Sequence, residues 1–289
     1  MKYLSSLILV LFFVGCSTAT KKVEPTPIKP VVKVEKKIQV VDCKVHPENI
    51  IRFECYEEKA NAGDPIAQSW LGYYFSSGKI VPKNKALGIE WFEKAANAGD
   101  YYSQREVAII YLKDKNYAKA FTYFEKAANQ DDAVAQRELA YLYDKGTGVK
   151  RDVNKAFFYF KKAAFQNDTF AQNELGYYYK KGWSVPKDYK QAAYWYGKTA
   201  DKGNDYGEAE LGYLYSKGYG VEKNYNIAYK LFTDSAQKGN KYAMSWLGYF
   251  NEKGIVVEKN YETAKMWYEK SASTYSKKRL AILKNKGLI

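Results

Sequence analysis

Serine–lysine pairs are the first residues in this sequence whose spacing could support chemistry. A lysine three residues after a serine lies about one helical turn away, where its amine can activate the hydroxyl for acyl transfer. The spacing occurs three times, at Ser76–Lys79, Ser184–Lys187 and Ser235–Lys238. No Ser-Asp-Asn or Lys-Thr-Gly segment accompanies any of them, and a chain this rich in lysine produces the tetrapeptide by chance. We therefore predict no catalytic residue.

The amino terminus carries the pattern of an export signal. Its apolar run, Leu4 to Val14, is too short to span a bilayer and has the length of a signal-peptide core. The run ends in FFVGCS, which resembles the lipobox of bacterial lipoproteins, with Phe13 replacing the usual aliphatic residue. The resemblance implies removal of residues 1–15, lipidation of Cys16 and, through Ser17, sorting to the outer membrane of a bacterial cell envelope. An ordinary cleaved signal with a stray cysteine is the alternative.

Two further cysteines and one histidine limit metal and redox chemistry. His46 cannot complete a metal centre or a catalytic triad alone, and no cysteine spacing matches a zinc site. We therefore predict no metal and no cofactor. In an oxidising compartment, Cys43 and Cys55 are expected to form a disulfide, which would contribute about 3 kcal/mol by closing a short loop. Two free structural cysteines are the alternative.

The charge of the chain indicates an anionic partner. Its 289 residues include 46 basic and 32 acidic side chains, a net charge of +14. Such a balance suits nucleic acid, anionic lipid, acidic protein or glycan. Because an exported chain does not meet nucleic acid, we predict a protein or peptide ligand, acidic in character, or a cell-wall glycan, besides the membrane reached through the lipid anchor.

The segment after Cys16 differs in composition from the rest of the chain. Residues 17–42 contain three prolines and six lysines and show no helical period. This composition is typical of a semi-extended tether. The alternation of apolar and polar residues in VVKVEKKIQVV is also compatible with a short strand, which is the alternative.

One unit then repeats along the chain. A Leu-Gly or Leu-Ala pair recurs at 36-residue intervals from Leu139 to Leu247, and earlier copies stand at Leu71 and Val107, followed by a shorter interval. Each copy carries two Asp or Asn residues where helices need an N-cap. The first set is Asp64, Asp100, Asp132, Asp168, Asn204 and Asn240; the second is Asn84, Asn116, Asp152, Asp188, Asn224 and Asn260. Glycines 78, 146, 182, 218 and 254 stand where the first helix ends, so each unit reads as two helices joined by a turn.

These residues resemble the Sel-one-like repeat, a relative of the tetratricopeptide repeat. The similarity is clearest in AQRELAYLYDKGTGVKRDVNKAFFYFKKAA, residues 135–164, and in residues 210–232. It implies an all-α fold: a right-handed α-solenoid of about six two-helix repeats of 36 residues, with an N-terminal half-unit and a C-terminal capping helix. It also implies an interaction scaffold rather than a reaction. Cysteine-rich members carry β-lactamase names, so weak β-lactamase-type or penicillin-binding activity is the alternative function.

The predicted organisation follows from these segments. It consists of a signal peptide at 1–15, lipidated cysteine and tether at 16–42, a half-unit at 43–59, the repeat solenoid at 60–272 and a basic cap at 273–289.

Three consecutive tyrosines in LGYYYKKG point to different sides of the first helix and therefore cannot all have the same role. Tyr178 and Tyr179 share the face of Leu175 and are expected in the core. Tyr177 lies about 200° from Leu175, on the opposite side. This position is tyrosine in five of six copies, at Tyr73, Tyr141, Tyr177, Tyr213 and Tyr249.

By analogy with tetratricopeptide arrays, these five tyrosines are predicted to line a concave ligand groove, together with Arg105, Arg137 and Asn173. Packing of the tyrosines against a neighbouring unit is the alternative. Lysines near the ends of the first helices either add positive charge to the groove or complement the helix C-termini.

Overall fold

The structure, a computed structural model, describes residues 49–289, with side chains from residue 51 onward. The predicted lipidation site at Cys16, the tether and Cys43 lie outside the described residues. All regular structure within 49–289 is helical. The helices are α1 (Asn49–Asn61), α2 (Pro65–Ser77), α3 (Lys85–Asn97), α4 (Tyr101–Lys113), α5 (Tyr117–Asn129), α6 (Ala133–Lys145), α7 (Val153–Phe165), α8 (Thr169–Lys181), α9 (Tyr189–Ala200), α10 (Asp205–Lys217), α11 (Tyr225–Gln237), α12 (Lys241–Lys253), α13 (Tyr261–Ser271) and α14 (Thr274–Asn285).

The helices pack as a linear series of antiparallel pairs. Six pairs run from α2–α3 to α12–α13, and each helix packs mainly on its neighbours in sequence. Because every unit contacts only adjacent units, the stack is a solenoid. The predicted all-α fold of six two-helix repeats is confirmed, with α1 before the first pair and α14 after the last.

The predicted N-caps hold the start of every paired helix. Asp64 Oδ1, for example, accepts hydrogen bonds from the amides of Ile66 at 2.8 Å and Ala67 at 3.0 Å. Each of the twelve predicted Asp or Asn side chains accepts such a bond. These bonds satisfy amides that have no partner within the helix, so local sequence alone sets where each helix begins.

The first helix of five units ends at a glycine in the left-handed region. Gly182, with φ at 74°, is representative, and its amide donates to the carbonyl of Tyr178. The second unit lacks this loop: α4 ends at Lys113, and Lys115 adopts the left-handed conformation before α5 begins. The shorter interval between the second and third copies therefore reflects a shorter connection.

Alternating leucine and aromatic residues form the core between paired helices. Leu175 and Tyr178 are buried, as the helical wheel predicts, and Tyr179 is half-buried against Phe157. In four units a glycine follows the repeated leucine and lets the partner helix approach: a Cβ on Gly248 would lie 2.5 Å from the Tyr268 ring.

The last helix closes the open end of the array. Leu283 of α14 is buried with Tyr268, and the guanidinium of Arg279 binds the carboxylate of Glu252 on α12. These contacts fix α14 against the sixth unit. None of the helices within residues 49–289 has the length and the hydropathy that spanning a bilayer requires.

Candidate binding surface

The five predicted tyrosines occupy one side of helices α2, α6, α8, α10 and α12, which we call the first-helix face together with the equivalent side of α4. All five rings are half-buried: Tyr73, Tyr141, Tyr177, Tyr213 and Tyr249. They are neither core residues nor free surface side chains. Such rings expose an apolar surface at little further cost in side-chain entropy, which is what an interface needs.

Neighbouring groups hold these rings in place to different degrees. Tyr141 is held most firmly, because its ring lies 5.0 Å from that of Phe160 and its hydroxyl donates to Glu174 Oε1 at 3.2 Å. Burial, aided by the Glu174 charge, raises the pKa of the Tyr141 hydroxyl. Tyr177 packs edge-on against Trp183 at 5.3 Å, and its ring remains accessible.

The polar residues predicted for the groove connect successive repeats. Arg105 Nη1 donates to Asp132 at 2.8 Å, and Arg137 Nη1 donates to Asp168 at 2.7 Å. Both carboxylates cap the first helix of the next unit. Asn173 Nδ2 donates to the cap residue Asn204 in the same way, at 3.0 Å. These contacts are structural; a role of the three residues in ligand binding remains a prediction.

Serine replaces these longer side chains at the two ends of the array, and a cavity opens beside each serine. The N-terminal cavity, of about 430 Å³, is lined by Ile66, Ser69, Trp70, Tyr73, Asp100, Tyr101 and Tyr102. The C-terminal cavity, of about 680 Å³, is lined by Lys217, Tyr242, Ser245, Trp246, Tyr249, Ser273, Thr274 and Tyr275. Both volumes are in the range of ligand pockets, and both cavities open on the first-helix face.

An ion pair occupies the middle of the same face. Lys180 Nζ lies 2.6 Å from Glu210 Oε2, and both side chains are largely buried. The ammonium also lies 5.7 Å and 5.6 Å from the ring centroids of Tyr177 and Tyr213. Because its charge is already balanced, Lys180 fixes the two rings relative to each other rather than attracting an anion.

Exposed lysines border the face at the ends of the first helices. They are Lys113, Lys145, Lys181, Lys217 and Lys253. Lys145 and Lys253 pair with the preceding acidic residue. Across residues 51–289, neither Lys181 nor Lys217 makes an ion pair. Instead, Lys181 Nζ lies 5.4 Å from the Tyr177 ring centroid and Lys217 Nζ lies 5.2 Å from that of Trp246. The face thus presents positive charge next to aromatic rings.

The serine–lysine pairs do not form a common site. Ser235 is fully buried and its hydroxyl donates to the carbonyl of Asp205, whereas Lys238 pairs with Glu208. Ser184 is exposed in the loop after α8, where its hydroxyl donates to Asn154. Within the described residues, no group of three His, Cys, Asp or Glu side chains is placed to bind a metal ion.

Sequence reasoning missed the aromatic residues that form the two cavities. Trp70 and Trp246 stand at the position before the repeated leucine, where the four central copies carry glutamate. The residue five positions before the repeated leucine, or before Val107 in the second copy, lies on the same side of the helix as Tyr177. Tyr102 and Tyr242 occupy this position. A comparison of all six copies at these two positions would have revealed both features.

Known proteins share this architecture and sequence. A family model described as the Sel1 repeat matches residues 65–100, 102–132, 133–168, 169–204, 206–240 and 241–273. No curated protein matches the chain.

Two solved structures cover most of the chain. A protective antigen of uropathogenic Escherichia coli, described as displaying an SLR fold, is 32% identical with a TM-score of 0.73 over 82% of this chain and 52% of its own. A Sel1 repeat protein from Oxalobacter formigenes is 28% identical with a TM-score of 0.65, over 77% of this chain and 93% of its own. The chain thus spans about half the length of the first of these two proteins.

Proposed function

This chain belongs to the Sel1 repeat family, and we propose that it is a scaffold that binds an extended, acidic protein segment along its first-helix face. The Sel1 fold is typical of protein-interaction modules. The location, class and charge of the ligand are our own inference from the residues on this face.

The half-buried tyrosine in five of six repeats is the observation that carries the proposal. A core position accepts leucine as readily as tyrosine, and a solvated position needs no aromatic side chain. A ring held edge-on by its neighbours, as Tyr177 is by Trp183, exposes a rigid apolar surface with a hydroxyl at its rim. Aromatic residues of this kind dominate the binding energy of protein interfaces. Their repetition along the stack suits an extended ligand.

The charges on the face support an acidic ligand. Lys181 and Lys217 approach aromatic rings and have no carboxylate partner within residues 51–289. The arginines and Lys180, in contrast, are paired inside the stack. The net charge of +14 adds long-range attraction for an acidic segment.

The scaffold is proposed to be anchored in a bacterial cell envelope by a lipid on Cys16. This part of the proposal rests on the sequence FFVGCS alone, and the Pro- and Lys-rich tether that follows would separate the array from the membrane. Sorting to the outer membrane belongs to the same proposal.

A panel of labelled ligands tests the binding proposal. The mature chain is titrated into acidic, neutral and basic 20-residue peptides of equal apolar content and into a soluble peptidoglycan fragment, with fluorescence anisotropy as the readout. We expect the acidic peptides to bind most tightly, with affinity falling as salt rises. Selective binding of the basic peptides or of the glycan would contradict the proposed ligand.

Matched variants locate the binding surface in the same assay. Tyr177→Ala with Tyr213→Ala should weaken binding of the acidic peptides. Phe158→Ala with Phe165→Ala removes two rings of similar size that are 53% and 65% exposed on the second helix of the third unit. This control should bind as the unaltered chain does. Equal losses for both variants would show that the first-helix face has no special role.

A further inference from the structure

The two cavities at the ends of the array are built from equivalent residues. Ser69, Trp70 and Tyr73 of α2 correspond in the repeat to Ser245, Trp246 and Tyr249 of α12. The second wall is also equivalent. It comes from the first turn of α4, the first helix of the next unit, and from the first turn of α14, which takes the same place after the sixth unit. Asp100, Tyr101 and Tyr102 begin α4, and Ser273, Thr274 and Tyr275 begin α14 in the same order, each starting with the N-cap residue. Two copies of one pocket therefore lie at opposite ends of the face.

A hydrogen bond between serines holds the two walls of each pocket at a fixed distance. Ser103 Oγ donates to Ser69 Oγ at 2.9 Å in the first pocket. Ser245 Oγ and Ser276 Oγ are 3.0 Å apart in the second. Ser103 and Ser276 are each the third residue after the N-cap of the second wall. Such short side chains connect the helices without filling the space between them.

Two of the four central repeats, the second and the third units, show what closes such a pocket. Where the end units carry Ser-Trp, the second and third units carry Arg105–Glu106 and Arg137–Glu138. The Arg105 guanidinium spans the gap to Asp132 at 2.8 Å and covers the ring of Tyr102 at 4.6 Å. Arg137 spans to Asp168 and covers Phe170. The arginine occupies in these units the space that serine leaves open at the ends.

We propose that the two pockets are paired anchor sites that take aromatic side chains from a single extended, acidic protein segment. The inference rests on the proposed function and names the contacts that fix the ligand at its ends. Each pocket is lined by an indole ring and by neighbouring tyrosines, the surroundings in which aromatic side chains are desolvated and packed.

Charge favours an acidic segment over a neutral one at the C-terminal pocket. The ammonium of Lys217 lies over Trp246 and pairs with no carboxylate in the described residues. A ligand carboxylate next to the anchoring ring would form an ion pair with the ammonium of Lys217. In both pockets a second aromatic ring stacks on the indole: Tyr56 lies 5.4 Å from Trp70, and Phe232 lies 5.3 Å from Trp246.

The geometry of the stack sets the distance between the anchors. Trp70 is in the first unit and Trp246 in the sixth, so five steps of roughly 8–10 Å separate the pockets by about 40–50 Å. An extended chain covers that distance with about 12–15 residues. Because the second anchor binds intramolecularly once the first is seated, two correctly spaced anchors should raise affinity roughly a hundredfold or more over one.

Synthetic peptides test the inference directly. Three fluorescein-labelled peptides share an Asp-, Gly- and Ser-rich background: one has two tryptophans about 13 residues apart, one has them about three residues apart, and one has a single tryptophan. Their affinities for the mature chain are measured by anisotropy. We expect the widely spaced peptide to bind roughly a hundredfold more tightly than the other two.

Filling one pocket should remove that advantage. Ser69→Arg copies the central repeats, with Asp100 placed to accept the guanidinium as Asp132 accepts that of Arg105. Ser245→Arg fills the other pocket, and Trp70→Leu tests the first pocket independently if the arginine variant does not fold. Each of these variants should bind the widely spaced peptide no more tightly than the peptide with a single tryptophan. Thr122→Arg adds the same charge at an exposed site on α5 and should change nothing.

The possible failures are distinguishable. Equal affinities for wide and narrow spacing, with binding still lost in Tyr177→Ala with Tyr213→Ala, would overturn the paired anchors and leave the proposed function in place. Binding that depends on neither the pockets nor the tyrosines, or no measurable binding of any peptide, would overturn both.

Discussion

The carboxylate of Asp132 makes two contacts at once: Oδ2 accepts a hydrogen bond from Arg105 at 2.8 Å, and Oδ1 accepts one from the amide of Ala135 at 2.7 Å. The first contact comes from the preceding repeat and the second begins the helix of its own repeat. One side chain thus couples helix initiation to repeat stacking.

Asp132 is therefore expected to be sensitive to truncation. Asp132→Ala removes the cap and leaves the largely buried Arg105 with one fewer partner, so the free energy of unfolding should fall by about 2–4 kcal/mol. Asp132→Asn keeps the cap, as Asn204 does at the same position, and should cost less than half as much. Urea unfolding of both variants measures the difference. Equal losses would show that the cap contributes little.

Acid should loosen the C-terminal helix α14 before the central repeats. Burial alone would raise the pKa of Glu252, but hydrogen bonds from Arg279, Lys253 and Tyr268 outweigh it and hold the pKa below its usual range. A carboxyl group whose pKa is lowered by folding stabilises the fold above its unfolded pKa, about 4.3, and this contribution disappears as the pH falls through the folded pKa.

Hydrogen exchange of α14 between pH 7 and pH 3 measures this effect. Protection should decrease with acid in the unaltered chain, whereas Glu252→Gln should be less protected at neutral pH and depend less on pH. A pH dependence identical in the two proteins would show that another group controls the end of the array.

The predicted Cys43–Cys55 disulfide would tie the start of the chain to the first helix. Cys55 is half-buried against the core residues between α1 and α2, at the repeat position that Trp91 fills in the next copy. Cys55→Ala should lower the free energy of unfolding of the N-terminal units by about 3 kcal/mol under oxidising conditions and by much less under reducing ones. Peptide mapping without reductant checks the bond itself, and two free thiols in protein isolated from an envelope would contradict it.

Lipidation of Cys16 should place the mature chain in the membrane fraction. Cys16→Ala should leave the protein unprocessed or release it into a soluble fraction, because a single cysteine carries the proposed anchor. Cell fractionation and mass spectrometry of the amino-terminal peptide measure both results. Unchanged membrane partitioning without a lipid mass would refute the anchor.

Much of the fold could be predicted because it is encoded locally. An N-cap such as Asp64 bonds to amides two and three residues away, so a short sequence window contains both partners. The side of each helix that enters the core follows from the 3.6-residue period, which placed Tyr178 inside and Tyr177 at the surface.

The candidate site was less predictable because its contacts cross repeats. Arg105 reads as an exposed groove residue until Asp132, 27 residues away, is placed beside it. The pockets likewise depend on a difference between units: the short side chain of Ser69 leaves open the space that Arg105 spans in the next unit. A repeat consensus averages over such differences, and the stacking distance that turns them into a cavity is not encoded in any one copy.

The central claim is that the half-buried tyrosines on the first-helix face bind the ligand rather than hold the fold. The most direct test is the double variant Tyr177→Ala with Tyr213→Ala, studied by thermal unfolding and by a binding isotherm with the tightest acidic peptide. Because both rings are half-buried, each truncation should cost about 1 kcal/mol of stability or less. Binding should weaken by about 2 kcal/mol, or roughly 30-fold. A large fall in melting temperature, of the size that core aromatics produce at about 3–5 kcal/mol each, or unchanged affinity in a stable variant, would contradict the claim.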